Sequence, residues 1–274
     1  MKNYVLFDKL STPALNFTET AKLLLTKLQI NFTLNDGFKK DLGLAVKAYN
    51  DLKFHTNNAF NLTLASKNAQ DIICVDESSY LSLCLTKQEL TADNKLKALV
   101  EKELAMPVNL DTKVMYITEI LHDIVGLKQL KSLVKSSFGE FYCTVFRGSS
   151  DARLAQFMQR DICDTLVSLI DAKNVKIQSA YGSDGFEIYS IAQSVAYNLS
   201  GVFLLDAFDH GADFILVNDI NSFFMFDVNQ KAIEKVVGRD IALPILNLSQ
   251  VILLALGEKE QLQFDKHKAK VTLL

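Results

Sequence analysis

Ile72-Ile73-Cys74-Val75-Asp76-Glu77-Ser78-Ser79-Tyr80 in the first half of the chain is answered by Ile215-Leu216-Val217-Asn218-Asp219-Ile220-Asn221-Ser222-Phe223 in the second. Each stretch opens as an apolar run of strand length, breaks at Asp-x-x-Ser-aromatic, and continues as helix. The approach matches too. Ala65-Ser66-Lys67-Asn68-Ala69-Gln70-Asp71 and Leu205-Asp206-Ala207-Phe208-Asp209-His210-Gly211-Ala212-Asp213 both read as a helix end leading into the strand. A phrase repeated in this way implies two related α/β halves.

Outward from the first copy, Tyr4 to Asp8 reads as a strand and Pro13 to Ile30 as a helix, with Pro13 suited to its first turn. Phe32 to Leu34 adds a strand. Phe38 to Asn50 and Ala59 to Asn68 read as helices before the strand ending at Val75. Strands alternating with helices imply a parallel sheet covered on both faces. The helical spacing of Leu96, Leu99, Val100 and Leu104, then Met115, Ile117, Ile120, Leu121, Ile124, Leu127 and Leu130, makes 91–138 a helical connector. A second cycle follows: strand Phe141 to Phe146, helix Asp151 to Ala172, strand Val175 to Gln178, helix Phe186 to His210, strand Phe214 to Val217, and a last helix Leu246 to Leu256. The expected fold is α/β, with two pseudo-symmetric, Rossmann-like parallel-sheet halves (1–90 and 139–274) joined by the connector.

Three further stretches set the repeat in context. Phe141-Tyr142-Cys143-Thr144-Val145-Phe146-Arg147 places a lone cysteine four residues before an arginine. Ser183-Asp184-Gly185 is a tight turn before a helix. Near the end, Leu243-Pro244-Ile245-Leu246-Asn247-Leu248-Ser249-Gln250, Leu256-Gly257 and Phe264-Asp265-Lys266-His267-Lys268 follow in order. In order and spacing the chain resembles the B subunit of heterodisulfide reductase and its relatives, the cysteine-rich CCG-domain proteins, over nearly its whole length. Each half of those proteins carries a lone Cys, a Cys-Cys-Gly, and a Cys-x-x-Cys at a strand-to-helix turn. Here Asp76 and Ser79, and Asp219 and Ser222, stand at the Cys-x-x-Cys turns. Ser183-Asp184-Gly185 keeps only the glycine, Asn35-Asp36-Gly37 is the nearest counterpart in the first half, and Cys143 is the lone Cys retained.

The resemblance implies what has been lost. The family's cysteine motifs hold iron–sulfur clusters because thiolates are soft ligands for iron, whereas Asp and Ser are hard. The expectation is a degenerate, cluster-free member with no cofactor and no assigned metal ligand. It would be a pseudoenzyme serving as an interaction or structural subunit. Family members act in multi-subunit redox assemblies, so a protein partner is implied by the resemblance.

Composition narrows the remaining classes. With 49% hydrophobic and 22% charged residues, 274 residues can bury a core without disulfide or metal. Net charge is −3 and the basic residues are scattered, which argues against a nucleic-acid partner. The longest apolar run, Val251 to Leu256, falls far short of the roughly 20 residues of a membrane span. Met1-Lys2-Asn3-Tyr4-Val5-Leu6-Phe7-Asp8 reaches an acid too early for a signal-peptide core, so the cytoplasm is expected. Cys74, Cys84 and Cys163 read as small core residues.

The candidate crevice comprises Asp76, Ser79, Cys143, Arg147, Ser183, Asp184, Gly185, Asp219 and Ser222, because ligands of open α/β sheets bind at the C-terminal ends of strands. Two readings are open. Asp76 and Asp219 cap the helices that follow them, or they join Glu77 and Asp184 in holding Mg²⁺ or Ca²⁺. A nucleophilic reading through Cys143, Ser79 or Ser222 needs a histidine base. His210 and His122 suit helix-terminal or surface roles, and His55 and His267 are expected in loops or tails.

Overall fold

The computed structural model describes residues 3–12, 15–159, 161–271 and 273, with the Leu15 side chain excepted; Pro13 lies outside the described residues. By contact the chain forms two units. The first is Met1–Pro13 with Leu25–Ile120, and the second is Ala14–Leu24 with Leu121–Leu274.

The first unit is built from β1 (Tyr4–Phe7), the end of α1 (Leu15–Lys27), β2 (Phe32–Thr33), α2 (Leu44–Tyr49), α3 (Asp51–Lys67), β3 (Asp71–Cys74), α4 (Glu77–Ala92), α5 (Asn94–Leu104), β4 (Val114–Tyr116) and α6 (Ile117–Glu119). Its four strands are parallel in the order β2-β1-β3-β4, with Phe7 opposite Cys74 and Cys74 opposite Tyr116. Ile72, Ile73 and Cys74 are wholly buried, as expected of a central strand covered on both faces.

A π-helical turn, Ile120–Gly126, leads to α7 (Leu127–Leu133). The second unit continues through β5 (Tyr142–Val145), α8 (Asp151–Leu154), α9 (Asp161–Leu169), β6 (Lys173–Asn174), α10 (Phe186–Tyr189), α11 (Gln193–Asp209), β7 (Phe214–Leu216), α12 (Ile220–Phe223), α13 (Gln230–Val237), β8 (Ile245–Leu246) and α14 (Leu248–Ala255). These strands are also parallel, in the order β6-β5-β7-β8, the same order as the first sheet when counted within the unit. Among the described residues no helix is long and apolar enough to cross a membrane.

Several elements differ from the reading of the sequence. Val114–Tyr116, inside the expected helical connector, is instead the fourth strand of the first sheet, because its apolar run pairs with Ile72–Cys74. Residues 38–43 are not helical, and α3 begins at Asp51, where Asn50 Oδ1 accepts the Lys53 amide at 3.0 Å. The strand expected at Val175 to Gln178 is displaced to Lys173–Asn174, and Gln178–Tyr181 is a 3₁₀ turn. Ile245–Leu246 is a strand, and the last helix starts after Asn247, whose side chain and that of Gln250 cap each other's backbone amides.

Candidate functional site

The Asp-x-x-Ser turns fall where expected, directly after the central strands β3 and β7. In the first unit Asp76 is the N-cap of α4. Its carboxylate accepts the Ser79 amide at 2.9 Å and the Ser79 hydroxyl at 2.6 Å, with the Ser78 amide at 3.4 Å. In the second unit Asp219 caps α12 and accepts the amides of Asn221 at 2.9 Å and Ser222 at 3.0 Å. In each turn the aspartate and serine are therefore bonded to one another, and each carboxylate is turned onto the backbone.

In the second unit the turn before α10 joins this arrangement. Ser183 Oγ accepts the Gly185 amide at 3.0 Å, and Asp184 Oδ1 accepts the Phe186 amide at 2.9 Å. The Ser222 hydroxyl donates to Asp184 Oδ2 at 2.6 Å and stands 3.3 Å from Asp219 Oδ1. Burial pushes the Asp184 carboxyl up, and the Ser222 hydroxyl and Phe186 amide oppose that shift. Gly185 has φ +81°, and a Cβ there would meet the Ala196 carbonyl oxygen at 2.4 Å, so α11 is packed directly onto this turn.

Cys143 and Arg147 do not add a nucleophile to this group. Cys143 is wholly buried in β5, where burial, helped by Cys163 and Asp164, pushes its thiol up to about 12. The Arg147 guanidinium is ion-paired with Asp164, which also accepts from Asn174 Nδ2 at 3.0 Å. Thus Ser183, Asp184, Gly185, Asp219 and Ser222 come together, while Cys143 and Arg147 belong to a neighbouring buried cluster.

The first unit has a counterpart that the sequence reading missed. Asn35-Asp36-Gly37 is an exposed turn, whereas Asp41-Leu42-Gly43 holds the equivalent position. Gly43, with φ +78°, is the N-cap of α2, as Gly185 is of α10, and each short helix precedes a helix of 17 residues. Asp41 is buried, its amide donates to the Lys9 carbonyl at 2.7 Å, and its Oδ1 accepts the Gly43 amide at 3.2 Å. Burial first, then the Asp76 charge, raise its pKa to about 6. The Ser82 hydroxyl faces Asp41 and favours its charged form, although neither Ser82 Oγ nor Asp41 Oδ2 closes a bond of ordinary geometry with a described residue. An acid two residues before a glycine that opens a helix was the available signal.

Of the two histidines expected in loops or tails, His55 is misplaced, whereas His267 does lie in the irregular C-terminal segment with its side chain turned inward. His55 lies within α3, wholly buried, with Nδ1 3.1 Å from Thr86 Oγ1 and Nε2 2.9 Å from Glu89 Oε2. His267 is also internal, with Nδ1 3.2 Å from Asp227 Oδ1 and Nε2 2.8 Å from Gln250 Nε2. Neither is described in contact with the candidate serines or Cys143. His210 ends α11, and His122 Nδ1 lies 2.6 Å from Asp123 Oδ1, both as expected.

The donor set does not suit an iron–sulfur cluster. The two Asp-x-x-Ser turns present hard oxygens already engaged in hydrogen bonds, and among the described residues no three of the His, Cys, Asp and Glu donors near these turns converge as a metal-binding group. What the second turn offers chemically is a carboxylate–hydroxyl–carboxylate chain, with the Ser222 hydroxyl buried and the two acids half-buried.

Comparison with known proteins agrees with the resemblance. A family model described as the HdrB-like C-terminal domain matches residues 186–268. The chain is 26% identical over 217 residues to the B subunit of the ferredoxin/F(420)H(2)-dependent CoB-CoM heterodisulfide reductase of Methanosarcina acetivorans, covering 72% of this chain and 69% of that one. It is 24% identical over 218 residues to the B subunit of the ferredoxin:CoB-CoM heterodisulfide reductase of Methanosarcina mazei, with the same coverage. A crystal structure of a hypothetical protein from Helicobacter pylori superposes with a TM-score of 0.82 at 23% identity over 100% of this chain, which spans about half (53%) of that one. The last similarity shows the fold alone.

Proposed function

We propose, from the premise that this is an HdrB-like chain, that it is a cluster-free, non-catalytic subunit whose duplicated scaffold binds a protein partner in a redox-related assembly. The observation that carries this reading is the closure of both Asp-x-x-Ser turns, where side chains at the positions of the family's thiolates cap helices instead of presenting soft donors. The protein-binding role is supported by an apolar stripe. Val195, Leu199 and Val202, at helical spacing along α11, are 53%, 37% and 61% exposed, and Ile191 in the turn just before it is 85% exposed. The opposite face of α11 backs onto the Asp184 turn, where the Ser200 hydroxyl donates to the Asp184 carbonyl at 2.6 Å. The relatives are named as reductase subunits, and a partner of that kind is the expectation here. The free cysteines suit a reducing cytoplasm.

The test is metal and sulfide analysis with a UV–visible spectrum on protein purified without oxygen. Colourless, iron-free, folded protein is expected; stoichiometric iron and acid-labile sulfide would restore a redox role. For the partner, gentle affinity purification from the native host is expected to recover a second protein with wild type and to lose it with Val195→Glu/Val202→Glu at unchanged melting temperature. Recovery of the chain alone would overturn the adaptor role.

A second reading is favoured by the first unit. Asp41 Oδ2 and the wholly buried Ser82 hydroxyl face each other without closing a bond of ordinary geometry, so a small polar ligand between them would satisfy both. Stabilisation by a compound in a thermal-shift screen, lost in Asp41→Asn, would select this reading.

A further inference from the structure

Away from the Asp-x-x-Ser turns, the first unit gathers a different set of donors. Asp51 and His55 stand one turn apart on α3 and face α4, from which Thr86 and Glu89 reach back. His55 Nε2 lies 2.9 Å from Glu89 Oε2 and 3.3 Å from Asp51 Oδ1, and one donor atom of each residue lies within 4.8 Å of the others. The imidazole is wholly buried, whereas the Asp51 and Glu89 side chains are 49% and 34% exposed, so the cluster opens to solvent on its carboxylate side. The other ring nitrogen is held by Thr86 Oγ1 at 3.1 Å, and Phe54 packs edge-on at 5.2 Å, so the ring direction is set by its surroundings.

A cation already sits at the mouth of the cluster. Lys47 Nζ lies 2.7 Å from Asp51 Oδ1 and 2.9 Å from Glu89 Oε2, the same two oxygens that approach His55. These oxygens are thus arranged for positive charge, and the ammonium is on a flexible side chain that can withdraw into solvent.

We propose that Asp51, His55 and Glu89 bind a divalent transition-metal ion of the Zn²⁺ class, with Lys47 as the competing cation and Thr86 as a positioning residue. Metal–ligand bonds of about 2.0–2.2 Å in tetrahedral geometry place donors roughly 3.4 Å apart, close to the separations seen around His55 Nε2. An imidazole with two carboxylates favours zinc over Mg²⁺ or Ca²⁺, which take all-oxygen shells. On binding, the proton that Nε2 shares with Glu89 leaves that nitrogen and the ring carries its N–H on Nδ1 toward Thr86 Oγ1, so that neutral His55 gives its Nε2 lone pair, Lys47 moves out still protonated, and water completes the shell. This site is independent of the proposed scaffold function.

The test is calorimetric titration of metal-stripped, full-length protein with Zn²⁺, and absorption spectroscopy with Co²⁺. One equivalent is expected to bind, with Co²⁺ showing the visible bands of a tetrahedral N/O site and Mg²⁺ giving no binding. His55→Ala abolishes binding, Thr86→Val weakens it about tenfold, and Lys47→Met tightens it. Because His55 is buried, the surface variant Glu89→Gln serves as a second arm and is expected to weaken binding by at least about tenfold. Absence of Zn²⁺ binding in both wild type and Lys47→Met, or binding undiminished in Glu89→Gln, overturns the proposal.

Discussion

Asp76 and Asp219 do the same local job in different surroundings. Asp76 is wholly buried and accepts a hydroxyl as well as amides, whereas Asp219 is half-buried. Asp219→Ala is expected to cost about 1 kcal/mol, the loss of a cap. Asp76→Ala should cost about 2–3 kcal/mol, because the Ser79 hydroxyl is left buried without its acceptor; urea denaturation of the two variants checks the order. Asp41 acts with the opposite sign. Its carboxyl is raised from 3.8 to about 6 by burial and by Asp76, so the folded state binds the proton more tightly than the unfolded chain. Its contribution is fully present below about pH 4 and is lost as pH rises through 6, a swing of the order of 3 kcal/mol. Asp41→Asn is expected to flatten the fall in stability between pH 4 and 6, as read by denaturation midpoints across that range. Both caps could be read from the chain because their bonds span two or three residues. His55 and His267 could not, since their partners Glu89 and Asp227 lie 34 and 40 residues away and are brought near by packing.

At the scale of elements, the acid–Gly turns before α2 and α10 share a positive glycine φ but neither its ψ, 158° at Gly43 and −3° at Gly185, nor a steric environment. Gly43 has φ +78° and an open Cβ position, with Ser11 Cβ at 3.9 Å; Gly185 has φ +81° and the Ala196 carbonyl in the way at 2.4 Å. Gly43→Ala should cost about 3 kcal/mol of backbone strain, because its φ and ψ lie in a region essentially reserved for glycine, whereas Gly185→Ala combines about 1 kcal/mol of left-handed strain with at least about 2 kcal/mol for displacement of α11. Thermal melts together with the chemical shifts of α11 amides separate these outcomes. The elements that were misread have a common cause. Met115, within β4, continues an apolar spacing that also suits a helix, and a three-residue strand has too few positions to show its period. The helix expected over 186–210 is interrupted at 190–192, between α10 and α11, which no glycine or proline announces.

For the whole molecule, the four thiols report on the scaffold. Cys74, Cys143 and Cys163 are buried and Cys84 is partly so; burial raises the thiols of Cys84 and Cys143 to about 12 and lifts that of Cys74 well above the ordinary thiol range. At pH 8 the native protein is expected to react slowly with a thiol reagent and to release all four cysteines on addition of guanidinium, with no reductant needed. Fast native labelling would mean that the sheets open readily. The amino-acid chain alone determined the α/β class, the central strands and the place of the two Asp-x-x-Ser turns, because each depends on residue type over a few consecutive positions. Tertiary structure alone decided the fourth strand of the first sheet, the role of Asp41-Leu42-Gly43, the joining of Asp184 to Ser222, and the burial of His55 beside Asp51 and Glu89. Those contacts form between segments distant in sequence, and whether a carboxylate or imidazole is capped, paired or left open depends on which neighbours the packed core places within hydrogen-bond reach.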